Sequence, residues 1–279
     1  MVSLVARYFF SQGISRRSIR NFHPGLIGLA ADLNHAEWGY YLRGYIQGKD
    51  VLDLGCGHTL YGIGFLVYGA RNYLGIDPKL KLDAPKLRRR ERFRTELAGN
   101  LWTLRQVQAA VPSVRYAACR ISDLPAGDRF DVIFMHNVTE HLMVIDEVFA
   151  GLRERLRPEG KIIYRHHNYA CWNGHHQRPR TTAEIDPEDP AQAPYLDWAH
   201  LDFGLELHPP MGRRLNRIRL HELRALTGRF FHIVSWEQLR SRPEQGAERL
   251  RPEILAKHPQ YTREELLTQA VMCVARRPS

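Results

Sequence analysis

The sequence predicts an α/β fold: a doubly wound, mostly parallel seven-stranded sheet with helices on both faces, an N-terminal helical extension and a long loop insertion after strand five. Three observations predict it. Strand-like and helix-like patterns alternate along the chain. The apolar run Val51-Leu52-Asp53-Leu54 ends in Gly55-Cys56-Gly57. A second apolar run, Tyr73-Leu74-Gly75-Ile76, ends in Asp77, twenty residues after Gly57. Closely spaced glycines let a strand turn sharply into a helix whose amino terminus approaches a ligand, and an acid ending the next strand can receive ribose hydroxyls.

The elements follow in order. The first strand covers residues 50–55, a helix begins near Thr59, and the second strand ends at Asp77. A helical tract from Pro85 to Ala110 precedes a third strand, Val114 to Ile121, which runs into Ser122-Asp123-Leu124. Asp131 to Asn137 is the fourth strand, apolar throughout its middle as a parallel strand covered on both faces should be. Leu142 to Leu156 has the spacing of an amphipathic helix, Arg157-Pro158-Glu159-Gly160 that of a turn, and Lys161 to Tyr164 that of strand five. Phe230 to Trp236 and Ala270 to Ala275 supply the last two strands, with residues 237–257 between them as an insertion. Residues 1–48 are expected to form the extension and 49–279 one domain. Within that domain 166–212 has no sustained period and reads as an extended loop covering an acceptor site.

A chain of 279 residues that is 44% hydrophobic can bury a substantial core. No run approaches the roughly 18 apolar residues that would span a membrane. The four cysteines, Cys56, Cys119, Cys171 and Cys273, form no CxxC pair, which argues against a zinc cage or disulfide framework and for a reducing, cytoplasmic compartment. Met1 to Arg20 carries four arginines and no acid. It lacks a signal peptide's continuous apolar core. A helix docking on the domain is expected there, with a transit peptide or a surface-binding helix as alternatives. The formal charge of +10 is concentrated in that stretch and in residues 79–94, whose net charge is +6. Such a run is either a solvated helix face or a patch attracting an anionic acceptor or nucleic acid. Few aromatics interleave it, which weakens a single-strand stacking surface.

The glycine turn departs from the dinucleotide fingerprint. Its third small position is Leu60, and Asp53 stands two residues before the first glycine, where a negative charge suits a cationic ligand better than a pyrophosphate. Over residues 50–168 and in its carboxy-terminal strands the sequence resembles the class I (Rossmann-like) S-adenosylmethionine-dependent methyltransferases, whose first motif reads apolar-apolar-Asp-x-Gly-x-Gly. That donor carries an ammonium and a sulfonium and no phosphate. The resemblance implies a cofactor set of Asp53, Gly55, Cys56, Gly57, Asp77, Pro78, Ser122, Asp123, Leu124 and His136, with Asp123 receiving the adenine amino group.

Ligands of such sheets gather at the carboxyl ends of the strands, so the segments leaving strands four and five should face the transferable methyl. Eight of the fourteen histidines lie between His136 and His208. His141 and His167 are the candidate general bases for a hydroxyl acceptor. Asn137-Val138-Thr139-Glu140-His141 also resembles the Glu-x-x-Glu-His element of ubiquinone-biosynthesis O-methyltransferases and of small-RNA 2'-O-methyltransferases, which implies a divalent metal ion. Here the first acid is Asn137, which disfavours magnesium, and Glu140, His141 and His200 are the expected mixed N/O ligands. Tyr169, Trp172 and Trp198 either pack a sugar or aromatic ring or anchor the loop. The expected function is methyl transfer to a small-molecule hydroxyl, sugar-like, polyol or phenolic. The alternatives are a metal-assisted RNA 2'-O-methyltransferase and a non-catalytic methyltransferase-like binding protein.

Overall fold

The computed structural model describes residues 13–14, 16–20, 22–32, 35–84, 102–202 and 215–278. Seven strands form one sheet: β1 (Asp50–Leu54), β2 (Asn72–Ile76), β3 (Val114–Ala117), β4 (Phe130–His136), β5 (Leu156–His167), β6 (His232–Arg240) and β7 (Thr268–Arg276). Their order is β3-β2-β1-β4-β5-β7-β6. β1 pairs in parallel with β2 and β4, β2 pairs in parallel with β3, and β6 with β7 is antiparallel. Contacts divide the chain into two compact units, Met1–Phe134 with Glu154–Lys161 and Met135–Arg153 with Ile162–Ser279. The division falls inside the stretch 49–279 that the sequence reads as one domain.

Among the described residues of the first unit the helices are α1 (Arg16–Arg20), α2 (Pro24–Asp32), α3 (Glu37–Ile46), α4 (Tyr61–Val67) and α5 (Leu104–Ala110). The N-terminal segment does supply helices, though residues 1–12 lie outside the described residues. α3 meets α4 through glycine. A Cβ on Gly39 would stand 2.4 Å from the Gly64 carbonyl oxygen, and one on Gly64 2.5 Å from the His35 carbonyl oxygen. Those contacts are with backbone, which cannot swing away. α4 starts two residues later than expected. The described part of the predicted tract 85–110 begins as a new helix, because Thr103 and Gln106 form a reciprocal capping box, Thr103 Oγ1 accepting from the Gln106 amide at 3.1 Å and Gln106 Oε1 from the Thr103 amide at 2.9 Å. Residues 85–101, with most of the basic run, lie outside the described residues.

β3 ends at Ala117, four residues short of the expected end. Residues Ile121–Asp123 instead form a 3-10 turn, closed by Asp123 Oδ2 accepting from the Arg120 amide at 2.8 Å. At the opposite ends of the strands, Arg71 and Arg157 converge on Asp50 at 2.6 and 2.9 Å, and Arg157 also reaches Asp131 at 2.7 Å. Arg71 above all holds the Asp50 carboxyl far below its usual range. Arg157 belongs to the segment expected as a turn. With its guanidinium held at Asp50 and Asp131, residues 156–160 continue as strand.

The second unit contains α6 (Ile145–Arg155, whose last two residues belong to the first unit), α7 (Leu220–Phe230), α8 (Pro252–Lys257) and α9 (Arg263–Leu267). Phe149, Tyr164 and Phe231 pack together, and the Tyr164 hydroxyl lies 2.6 Å from Thr227 Oγ1. α7 takes Phe230, so β6 starts at His232, and the expected insertion 237–257 opens as strand through Arg240.

The described part of 166–212 also differs from an extended loop. His166 and His167 end β5, and Asn168 then leaves the strand with its Nδ2 donating to the carbonyls of Glu265 and Thr268 at 2.8 and 2.7 Å. Thr182–Glu184, Pro190–Tyr195 and Ala199–Asp202 are 3-10 turns. Trp172 and Trp198 are fully buried in a cluster with Leu250 and Leu266, and Trp198 Nε1 donates to the Ala170 carbonyl at 2.9 Å. Both tryptophans are therefore anchors, the second of the two expectations. Gly246, at φ 82°, lies against the Trp172 ring, where a Cβ would come within 2.3 Å.

The glycine contact between α3 and α4 generates a prediction. Gly64→Ala should cost about 1–3 kcal/mol, read as a lower urea midpoint at unchanged slope. A midpoint equal to that of the parent protein would show that the two helices separate easily.

Candidate active site

The glycine loop is built at the exit of β1. The Gly55 amide donates to the Ile76 carbonyl at 2.7 Å and the Cys56 amide to the same oxygen at 3.2 Å. Gly55 and Gly57 lie at φ 70° and 54°, the left-handed region that glycine enters without strain. The loop is thereby tied to the end of β2, immediately before Asp77. A Cβ on Gly57 would meet nothing within 4 Å, so open space adjoins the loop. Gly75 is different: a Cβ there would stand 2.9 Å from both Cys56 Sγ and the Tyr116 ring.

Asp77 is half-buried, and its Oδ1 accepts from the Lys79 amide at 2.8 Å. Asp123 is exposed after β3, held below the usual carboxylate range first by the Arg120 amide and then by the Ser122 hydroxyl, 3.1 Å away. Pro78 and Ser122 are exposed, whereas Cys56 and Leu124 are buried. Burial pushes the Cys56 thiol up. All four cysteines are free thiols. His136, at the end of β4, belongs to the second unit; burial, with help from the Arg165 charge, lowers it to about 4.

Asp53 has a partner that its motif does not announce. It is 1% exposed, and its Oδ2 accepts from the Tyr73 hydroxyl at 2.6 Å. Burial pushes its carboxyl up to about 7, against the Tyr73 bond and with the Asp77 charge. It is therefore a carboxyl balanced between two protonation states near neutrality. His35 is a second residue without a sequence signal: its Nδ1 accepts from the Leu60 amide at 2.8 Å, and its ring stands edge-on to Tyr61.

The second unit holds the histidines. Asn137 sits at φ 54°, and its Oδ1 accepts from the Arg165 guanidinium. Thr139–His141 is a 3-10 turn pinned by Asn216, whose Nδ2 donates to the Thr139 and Leu142 carbonyls at 2.7 and 3.0 Å and whose amide donates to that of Glu140 at 2.8 Å. Glu140 is 1% exposed, and neither carboxylate oxygen finds a hydrogen-bond partner among the described residues. Burial pushes it up to about 7, opposed by the nearby amides of Glu140 and His167 and by Arg165. His166 is fixed by Thr139 Oγ1, 2.9 Å from its Nδ1.

His167 and His176 face each other, Nδ1 to Nε2, at 2.6 Å with nearly parallel rings. His167 Nε2 lies 3.3 Å from Asn173 Oδ1, and the His141 ring lies edge-on to His176 at 5.3 Å between centroids. Burial lowers both members of the facing pair, His176 to about 4. A cavity of about 260 Å³ is lined by Asn137, His167, Asn173, His176 and Arg180. The expected trio Glu140, His141 and His200 is not what converges. Glu140, His167 and His176 each bring a ligand atom within 4.8 Å of the others. His200 turns elsewhere, its Nε2 3.0 Å from the Tyr169 carbonyl and its ring against Tyr169 and His175, because the buried Trp198 anchors its turn. His176 lay among the noted histidines, but no spacing rule singles it out.

Residues 52–162 match the family described as a methyltransferase domain. Two similar curated proteins are tRNA U34 carboxymethyltransferases. That of Methylococcus capsulatus is 30% identical over 167 residues, 54% of this chain and 47% of the relative. That of Shewanella halifaxensis is 30% identical over 123 residues, 42% of this chain and 31% of the relative. The chain thus spans between about a third and a half of the length of the curated relatives it matches. Among solved structures, a candidate S-adenosylmethionine-dependent methyltransferase from Listeria monocytogenes superposes with a TM-score of 0.52 at 19% identity, covering 88% of this chain and all of that one. The CcbJ methyltransferase from Streptomyces caelestis gives 0.51 at 16% identity, covering 88% and 90%. These two likenesses concern the fold. Residues 52–162, which hold the glycine loop, Asp77 and Asp123, therefore carry a methyltransferase domain.

Asp53 generates a pH prediction. Its folded pKa is raised from 3.8 to about 7, so the folded state holds that proton more tightly than the unfolded chain does. The stability it contributes is complete below pH 3.8 and falls as the pH rises towards 7. Relative to the parent protein, Asp53→Asn should gain up to about 1.4 kcal/mol per pH unit across that window and nothing beyond it. Urea unfolding at a series of pH values measures the difference, and a pH-independent difference would contradict the burial argument.

Proposed function

We propose that the protein transfers the methyl group of S-adenosylmethionine to a hydroxyl of a small-molecule acceptor, sugar-like, polyol or phenolic. The observation that carries the donor half is the loop Gly55-Cys56-Gly57, held in left-handed geometry against the Ile76 carbonyl beside Asp77. In this reading Asp77 receives the ribose hydroxyls and Asp123 the adenine amino group. The acceptor oxygen attacks the methyl carbon, the carbon–sulfur bond breaks, and the sulfonium leaves as a neutral thioether. Alignment supplies most of the rate in such an in-line displacement. The acceptor proton leaves to a histidine. His141 and His167 are the candidates, and His167 Nδ1 faces His176 while its Nε2 faces Asn173.

A second reading, with an RNA acceptor, draws support from the names of the curated relatives, which act on tRNA. The basic run 79–94 would serve that acceptor through phosphate contacts. At the described start of this run, Asp83 is already paired with Arg105 at 2.5 Å.

Calorimetry should show one S-adenosylmethionine bound per chain, and Asp77→Ala should weaken it about tenfold or more, since a charged hydrogen bond contributes on the order of 1.5–3 kcal/mol. Absent binding by the parent protein would end both readings; binding without turnover on any hydroxyl or RNA acceptor would favour a non-catalytic role. Reversing the charges of Arg88, Arg89 and Arg90 separates the two acceptors. Retention of tRNA at physiological salt that is lost in this variant supports the RNA reading, and no retention by either protein supports the small acceptor.

A further inference from the structure

We infer that Glu140, His167 and His176 bind one first-row divalent cation of zinc-like preference, with the remaining coordination positions open to the cavity beside Asn173 and Arg180. The inference goes beyond the methyl-transfer reading and stands independently of it.

Three observations carry it. The ligand atoms of these residues already lie within 4.8 Å of one another. Glu140 is buried, yet neither of its carboxylate oxygens has a hydrogen-bond partner among the described residues. A buried carboxylate left in that state is costly, and a coordinated cation would satisfy it. The third observation is the geometry of the imidazoles: His167 Nδ1 and His176 Nε2 point at each other at 2.6 Å. On a tetrahedral ion with bonds of about 2.0–2.1 Å, two ligand nitrogens stand roughly 3.3 Å apart, so a small opening of the pair would admit the ion.

The donor set selects the metal. Two imidazoles and one carboxylate match zinc and neighbouring first-row ions, whereas magnesium asks for oxygen ligands in octahedral array. Asn137 does not supply a further oxygen, because its Oδ1 is held by Arg165. Three protein ligands leave a position for water or an acceptor oxygen. Arg180 lines the same cavity and favours an anionic occupant of that position, hydroxide or a deprotonated hydroxyl.

Its orientation is set from outside the trio. Asn216 clamps the turn that carries Glu140, and His167 Nε2 lies 3.3 Å from Asn173 Oδ1, a partner for the ring nitrogen that faces away from the ion. His176 sits at φ 60°, a conformation that asparagine tolerates, so His176→Asn removes the ligand with little backbone cost. Glu140→Gln keeps the shape of the side chain and removes its charge.

The test is titration of the metal-stripped protein with zinc(II) and, separately, cobalt(II) and magnesium(II), followed by calorimetry and, for cobalt, visible absorption. We expect one zinc or cobalt per chain, a cobalt spectrum of low coordination number, and no magnesium binding at matching concentrations. Glu140→Gln and His176→Asn should each weaken zinc at least tenfold and abolish that spectrum, while His232→Gln, at an exposed histidine of β6, leaves both unchanged. Far-UV circular dichroism checks folding, with His167→Gln replacing any variant that fails to fold. Absence of stoichiometric zinc binding, or binding that survives loss of the trio, overturns the inference. Neither result touches S-adenosylmethionine binding, so failure here is distinguishable from failure of the methyl-transfer reading.

Discussion

Two amides, those of Gly55 and Cys56, converge on the carbonyl of Ile76, and the geometry at the carboxyl ends of β1 and β2 depends on that convergence. It joins the end of β1 to the end of β2, so the glycine loop and Asp77 cannot drift apart without breaking backbone hydrogen bonds. The bend is available because Gly55 and Gly57 occupy positive φ without a Cβ penalty. Behind the loop, Gly75 leaves room for Cys56 and Tyr116, and Asp53 pairs with Gly75 in the strand register. The Tyr73 hydroxyl then satisfies the Asp53 carboxyl in the interior. A buried acid next to the glycine loop is tolerated because one strong hydrogen bond and partial protonation share the desolvation cost.

The second unit handles its buried polar groups in two ways. Some are satisfied by neighbours: Asn168 by the carbonyls of Glu265 and Thr268, Tyr164 and Thr227 by each other, His166 Nδ1 by Thr139. Glu140 has neither carboxylate oxygen hydrogen-bonded among the described residues, and it stands beside two imidazoles that burial keeps neutral. Core packing alone does not account for such a grouping, since each polar group would be better replaced by an apolar one. The surrounding structure maintains it nonetheless, through Asn216 on one side and the anchored Trp172 and Trp198 segment on the other.

Where the prediction and the structure part, the reasons are local competition and distant partners. A capping box at Thr103 starts a helix inside a tract that reads as continuous. The Arg120 amide draws Asp123 into a 3-10 turn where the apolar pattern still reads as strand. Residues 156–160 look like a turn on composition, yet Arg157 is drawn to Asp50 and Asp131, and the strand extends through them. The segment from 168 to 202 lacks any period because 3-10 turns and isolated anchors hold it, and neither leaves a repeating apolar signature. No helix among the described residues is long and apolar enough to cross a membrane, in keeping with the hydropathy.

The sequence by itself determined the class of fold, the position of the glycine turn, the acids Asp77 after the second strand and Asp123 after the third, and the enrichment of histidine after strands four and five. These are legible because strand periodicity, glycine at a bend and an acid at a strand end are short-range signals, each contained in a few adjacent residues. Only the tertiary structure decided that Asp53 pairs with Tyr73, that Asn216 pins the turn of Glu140 from 77 residues away, and that His176 rather than His200 joins Glu140 and His167. Those choices depend on which side chains long-range packing brings face to face, and a buried polar group takes whichever partner the fold places within reach.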